Sequence, residues 1–307
     1  MSIRIQENVP LTPLTTFEIG GAARYFVDVQ SEDDIREAIA WAKKKNVRFQ
    51  ILAGGSNVLV PDGGVDGLVI HIVSGNFSFA DNELAADAGC NLLQMIRAAG
   101  ERGLGGWEKL AGIPGTLGGA VRGNAGAFGS EIKDFVTNVR VLNANTGEVL
   151  GFVNPTCDFA YRHSFFKEHP EWIITRVIIE LQKVDPSENK RLVEETIQER
   201  EKRHLQNVRA AGSFFMNPKA PPEVIAMFEK EKGGKSREGR VPAGWLIEKA
   251  GMKGATEGGA IASLQHPNYI VNQGNASADD VRQLAENIRH AVSSQFSVEL
   301  HEEAAIL

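Results

Sequence analysis

Apolar Ile35, Ala38, Ile39, Trp41 and Ala42 recur at helical spacing across 31–45, and Ser31 with Asp34 gives a capping-box-like start. Short apolar runs at 49–52 and 68–73, bounded by glycine, predict buried strands, so the chain begins as small α/β. A strand at 83–88 and a helix at 91–102 follow. Strands are predicted again at 136–142, 147–153 and 172–183, the first two joined by an Asn145-Thr146-Gly147 turn. After a break at 185–188 the pattern becomes strongly charged, and 190–204 reads as a solvated connector helix rather than a core element. Helices at 222–230, 243–250 and 278–292 then alternate with strands near 270–271 and at 298–300. A boundary near 186–207 separates this smaller C-terminal α/β part from the N-terminal one, and no internal repeat is present.

A length of 307 residues is long for one core and agrees with two or three domains. The net charge of −6 gives no electrostatic footprint for nucleic acid, though local cations and backbone amides can still hold anionic ligands. Cys90 and Cys157 lie far apart without metal-ligand spacing, and read as buried reduced thiols, with no metal expected. No apolar run approaches the ~18 residues of a membrane span, and the first residues lack a signal-peptide core, so a cytoplasmic enzyme with no membrane partner is expected.

The 32 glycines change the picture, because they cluster. Ala53-Gly54-Gly55-Ser56-Asn57-Val58-Leu59 follows a predicted strand, and its successive amides can form an anion-binding concavity, with Ser56 and Asn57 adding donors; a tight turn between strands would look the same. No Rossmann or Walker A fingerprint is present. The second segment runs Gly112-Ile113-Pro114-Gly115-Thr116-Leu117-Gly118-Gly119-Ala120 and continues to Asn124-Ala125-Gly126-Ala127-Phe128-Gly129. Glycines there strip side chains from one surface, so that a large planar or diphosphate ligand can lie against main chain.

These two segments, taken in order with Thr15-Thr16-Phe17, Tyr161-Arg162-His163-Ser164, Ala211-Gly212-Ser213-Phe214-Phe215, Ala243-Gly244-Trp245-Leu246 and His266-Pro267-Asn268-Tyr269, resemble flavoproteins of the vanillyl-alcohol-oxidase/p-cresol-methylhydroxylase (VAO/PCMH) type. Within that group the chain is most similar to the UDP-N-acetylenolpyruvoylglucosamine reductase (MurB) family in its shorter form, over residues 15 to about 303. The resemblance implies an α/β (α+β) architecture: an FAD-binding PCMH-type region of two subdomains, 1–75 and 76–188, a connector helix at 189–207, and a C-terminal substrate-binding domain at 208–307. It implies non-covalent FAD, held by Ala53, Gly54, Gly55, Ser56, Asn57 and Leu59 and by Gly112, Ile113, Pro114, Gly115, Gly118, Gly119, Ala120, Asn124 and Gly126. NADPH is the implied reductant, alternating with a nucleotide-sugar substrate whose enolpyruvyl ether is reduced for peptidoglycan precursor synthesis.

That chemistry needs a hydride donor, a cation at the substrate carboxylate and a positioned acid. By resemblance Arg162 takes the carboxylate, Ser213 protonates the intermediate, and Glu303 assists, with Glu302 one register away. Tyr161, Asn217, Lys253 and His266 are the implied substrate-side residues. Three departures stand out: Met216 where the family has lysine, Gln206 without a following proline, and Glu303-Ala304-Ala305 without the family's closing arginine. Two other readings stay open at this point: another flavin oxidoreductase of the same fold, and a non-catalytic flavin- or nucleotide-sugar-binding regulator.

Overall fold

The computed structural model describes residues 3–203 and 207–307. Its contacts group the chain into two compact units. One comprises the N-terminal segment up to Val9, Ala23–Gly55 and Asp66–Lys202; the other comprises Pro10–Ala22, Ser56–Val65 and the chain from Arg203 onward. Two short N-terminal segments therefore belong with the C-terminal half, an arrangement that a linear reading of the chain does not contain.

The first unit holds two sheets. One has four strands in the order Gln6–Pro10, Ala22–Val29, Val65–Ile72, Phe49–Leu52. Phe49–Leu52 runs parallel to Val65–Ile72, with Phe49 opposite Leu68 and Leu52 opposite His71. The Glu32–Lys45 helix supplies the cover. Its start is fixed by Ser31 Oγ, which accepts from the Asp34 amide at 3.1 Å, while the Asp34 carboxylate accepts from the Gln30 amide at 2.9 Å. Such a cap is worth about 1 kcal/mol, and three acidic residues in the first turn and three lysines in the last add favourable dipole terms. The helix buries Ile35, Ala38, Ile39 and Ala42 against Val27, Val29, Leu68, Ile70 and Ile72.

The second sheet has five antiparallel strands in the order Val149–Val153, Val136–Asn143, Trp172–Glu180, Glu83–Asp87, Phe77–Ala80. The Leu92–Gly100 helix, begun by an Asn91 cap, shares its core through Leu92, Met95 and Ile96. Part of the second glycine segment, expected as loop, is a short helix, Leu117–Arg122, capped by Thr116. Leu117 and Val121 enter the same core, which is why the segment is helical despite its glycines.

The charged helix spans Pro186–Lys202 and is not merely solvated. Val193 and Ile197 pack on the second core, and buried Asn189 donates its amide to the buried Glu108 carboxylate, which also accepts from the Gly106 amide at 2.7 Å. Arg200 is buried as well, while on the outer face Arg191 pairs with Glu188 and Glu195. His204 to Gln206, at the end of the expected connector, lie outside the described residues.

In the second unit a three-stranded antiparallel sheet, Thr256–Glu257, Ala260–Ala262 and Ile270–Asn272, packs with the helices Ala243–Lys249 and Ala278–Phe296. Phe17, Ile19 and Leu59 are fully part of this core. Polar ties reinforce them: Thr16 Oγ1 donates to the Ala210 carbonyl at 2.7 Å, Asn272 Nδ2 donates to the Phe17 carbonyl at 3.1 Å, and Asp62 caps the Ala278–Phe296 helix. The strand expected at 298–300 is absent. Val298 and Leu300 are buried around an exposed Glu299, which gives the alternation of a strand without its ladder. Regular pairing comes later, where Ala305–Ile306 runs parallel to Val58–Leu59. Among the described residues no helix is long and apolar enough to cross a membrane, and no group of His, Cys, Asp and Glu side chains is arranged to hold a metal ion.

Candidate active site

In the first unit the two glycine segments meet as bare main chain. A Cβ placed on Gly54 would lie 2.8 Å from the Gly115 Cα and 3.1 Å from the Thr116 nitrogen, closer than side chains approach backbone. Gly55, Gly112 and Gly115 have φ of +57°, +78° and +110°, the left-handed region that glycine enters without a Cβ penalty. Among the described residues the amides of Gly54, Gly55, Gly115 and Thr116 donate to no protein oxygen, whereas those of Leu117, Gly118 and Gly119 are taken by Cys90, Ala88 and Thr116. Oriented, unclaimed amides beside glycines form a cradle suited to a diphosphate. On the exposed side of the short helix, Cβ positions at Gly119 and Gly123 would meet nothing closer than 3.5 Å and 3.7 Å, so this face is open to a flat ligand.

Not every residue assigned to the cofactor faces it. Leu59 is 2% exposed in the second unit's core, and its carbonyl accepts from Leu307. Gly118 is the close-packing point against Ala88, and Ala120 is a core residue. Asn124 is wholly buried and its amide is committed: Nδ2 donates to the Ala160 carbonyl at 2.8 Å and to Glu131, and Oδ1 accepts from the Lys133 amide. Its task is to join the glycine segment to the turn before Tyr161. Asn57 turns its side chain elsewhere, as described below.

That turn carries Arg162. Ala160 and His163 exchange backbone hydrogen bonds at 3.1 Å, which holds Arg162 at φ +56°, and Arg162 Nη2 donates to the Gly126 carbonyl at 3.0 Å. The guanidinium also lies 5.2 Å from the Tyr161 ring centroid, within cation–π range. Buried Ser164 completes the attachment by donating to the Arg122 carbonyl at 2.7 Å. Arg122 itself reaches solvent, yet enclosure by surrounding protein pushes its guanidinium below the usual arginine value. The planar guanidinium fork is the shape that meets a carboxylate bidentately.

The second unit pairs the backbone that follows Ser213 with residues 301–303. The Glu303 amide donates to the Phe214 carbonyl at 2.8 Å, the Met216 amide donates to the His301 carbonyl at 2.9 Å, and Phe215 faces Glu302 across an antiparallel bridge. Neighbouring extended residues point to opposite faces. Glu302 reaches toward Arg289 on the Ala278–Phe296 helix, 4.0 Å away, so Glu303 occupies the other face. Asn57 holds this strand end: Nδ2 donates to the Glu303 carbonyl at 3.1 Å, and its own carbonyl accepts from Ala305 at 3.0 Å.

The remaining substrate-side residues are tied into the same unit. Asn217 Oδ1 accepts from the Ala243 amide at 2.9 Å at the start of the Ala243–Lys249 helix. Lys253 Nζ bonds Glu248 at 2.7 Å, and this ammonium holds the Glu248 carboxyl below its ordinary range. Any diphosphate at Lys253 competes with that exposed pair. His266 packs edge-on to Tyr269 at 4.9 Å, with its amide on Ser263 Oγ.

Comparison with known proteins decides between the readings. An FAD binding domain model matches residues 23–152, and the model of the UDP-N-acetylenolpyruvoylglucosamine reductase C-terminal domain matches residues 203–307. The UDP-N-acetylenolpyruvoylglucosamine reductase of Solibacter usitatus is 33% identical over 305 residues, covering 98% of this chain and 96% of the relative. This chain belongs to the UDP-N-acetylenolpyruvoylglucosamine reductase (MurB) family. The reductase of Caldanaerobacter subterraneus subsp. tengcongensis is 37% identical, with 98% of this chain and 92% of that one covered. The crystal structure of the Thermus caldophilus reductase superposes with a TM-score of 0.77 at 31% identity, covering 99% of both chains. The α/β FAD-binding region joined to a MurB C-terminal domain is thereby shown as the architecture.

For a MurB-family FAD-binding region, the contact of Gly54 with Gly115 has a direct consequence. Gly54→Ala forces the two segments apart and spoils the amide cradle. The variant is expected to retain less than a tenth of the wild-type FAD after gel filtration, measured by absorbance after denaturation; full retention would show that the approach is not needed for cofactor binding.

Proposed function

We propose that this chain reduces the enolpyruvyl ether of UDP-N-acetylenolpyruvoylglucosamine to UDP-N-acetylmuramate, with NADPH as reductant, in the cytoplasmic assembly of peptidoglycan precursors. The observation that supports this most is the bond from the Glu303 amide to the carbonyl of Phe214, the residue after Ser213, in the C-terminal unit of a chain whose other unit is an FAD-binding domain. The amides of Gly54, Gly55, Gly115 and Thr116 would hold the FAD diphosphate. Bound FAD, recharged by NADPH, supplies the hydride that adds to the terminal alkene carbon.

As that carbon gains hydrogen, negative charge moves into the substrate carboxylate. Arg162 takes this charge: its guanidinium is permanently cationic, and its anchoring to Gly126 costs no reorganisation as charge builds. Ser213 then transfers its hydroxyl proton to the adjacent carbon. A serine hydroxyl is a weak acid and can protonate only a strongly basic carbon, which the enolate-like intermediate provides. Glu303, on the neighbouring strand, stabilises the same intermediate and is suited to restore the proton. Asn217, His266 and Tyr161 serve binding. These roles account for every atom: one hydride, one proton and a saturated lactyl ether.

The cofactor claim is tested on purified protein. It should be yellow or take up FAD to one equivalent, and release the flavin unmodified on denaturation. A folded, colourless preparation that takes up no FAD would end this reading.

A further inference from the structure

The Ser213 segment has no long strand to hold it. Phe214 to Met216 is bonded on one side to residues 301–303, and the other side has no continuous partner strand. Its place is taken by one side chain. Asn268 is 2% exposed; its Oδ1 accepts from the Phe215 amide at 3.0 Å and its Nδ2 donates to the Phe215 carbonyl at 2.8 Å, while its main-chain carbonyl accepts from the Phe214 amide at 2.7 Å. The amide thus imitates a strand residue and satisfies both polar groups of Phe215. Donor and acceptor on one peptide fix which way round the amide lies. On the opposite edge Asn57 performs the matching act, donating to the Glu303 carbonyl.

We infer that Asn268 and Asn57 are positioning residues for the proton-transfer pair, Asn268 fixing the backbone that carries Ser213 and Asn57 fixing the backbone that carries Glu303. This rests on the proposed reductase reading and adds to it two residues that touch neither reacting carbon nor proton. The logic is one of register. Ser213 and Glu303 sit on adjoining strands held by few backbone bonds, so each strand can slide unless its outer edge is pinned. A displacement of about 1 Å in an acid can cost ~100-fold in rate. Asn57, whose side chain resembles a diphosphate ligand in the family motif, spends that side chain on Glu303 instead.

Asn268→Asp is the sharpest probe, because it keeps shape and exchanges one donor for an oxygen. The ionised carboxylate opposes the Phe215 carbonyl, whereas a protonated carboxyl can donate to it. Burial and that donation favour the protonated form, so the variant's carboxyl has a raised pKa. Function is then retained below that pKa and lost as pH rises through it. With the two half-reactions followed separately by stopped flow, flavin reduction by NADPH should stay within about threefold of wild type. Flavin reoxidation by the enolpyruvyl substrate should fall by about a hundredfold at neutral pH and recover on acidification. Asn57→Ala removes an exposed bond and does not endanger folding; reoxidation should fall by about tenfold, with FAD retention unchanged. Unchanged reoxidation in both variants, or equal losses in both half-reactions, would overturn the inference, and so would FAD loss in Asn57→Ala. If Asn268→Asp fails to fold, the Asn57→Ala result decides. Wild-type protein that is bleached by NADPH but never reoxidised by the substrate would instead defeat the reductase reading itself.

Discussion

Replacing Ser213 with alanine is expected to leave the bleaching of the flavin by NADPH within a factor of two of wild type while slowing its reoxidation by the enolpyruvyl substrate about 1,000-fold. The asymmetry follows from what the hydroxyl does. Hydride arrival from NADPH needs no proton from the protein, whereas completion of the substrate's reduction does. The structure makes this a clean deletion, because the surrounding backbone is held by Asn268 and by residues 301–303 through bonds that do not involve the Ser213 hydroxyl. The variant should therefore fold and keep FAD. Exchange of solvent deuterium into the product should also slow in step with reoxidation. Equal loss in both half-reactions would make Ser213 a scaffold residue.

Arg162→Lys should be nearly as damaging, about 100-fold in reoxidation, although it conserves charge. Arginine and lysine pay the same backbone cost at φ +56°, so the comparison isolates the head group. Arg162 Nη2 donates to the Gly126 carbonyl, and a planar guanidinium can meet a carboxylate bidentately. An ammonium is a single point: it can stay on Gly126 or follow the substrate, and cannot present a fork to both. The KM for the nucleotide sugar should rise less than the rate falls, because the charge it meets is greatest in the transition state. Near-normal turnover by Arg162→Lys would remove the residue from the mechanism.

The parts of this molecule that were legible in the sequence are those governed by local rules. The Glu32–Lys45 helix announces itself by period and cap, and the three central strands of the second sheet by short runs rich in apolar residues. The strand Ala22–Val29 was hidden because Arg24 and Asp28 interrupt its apolar run; both point outward, onto Asp66 and His71. The Leu117–Arg122 helix was hidden by Gly118 and Gly119, of which Gly118 serves the close contact with Ala88. Val298 and Leu300 misled for the opposite reason, since alternating burial arises without a ladder when a strand-like segment is pinned by scattered bonds.

At the site, the same division holds. Clustered glycines pointed to the cradle, since glycine has few other reasons to gather. What the letters could not give was the destination of each amide. Asn124, Asn217 and Asn57 all looked like ligand donors, and all three direct side-chain atoms to backbone groups tens to hundreds of residues away in sequence. Asn268 carried one available signal: an amide next to the apolar run Tyr269-Ile270-Val271 is bound to be buried, and a buried amide must have partners. The packing of Pro10–Ala22 and Ser56–Val65 with the C-terminal half is a long-range fact that no local pattern encodes.

The central claim is best tested by an anaerobic double-mixing experiment on the wild-type protein. One equivalent of NADPH should bleach the bound flavin, and UDP-N-acetylenolpyruvoylglucosamine added afterwards should restore its full absorbance with stoichiometric UDP-N-acetylmuramate. A flavin that NADPH bleaches but that this substrate leaves colourless would contradict the account.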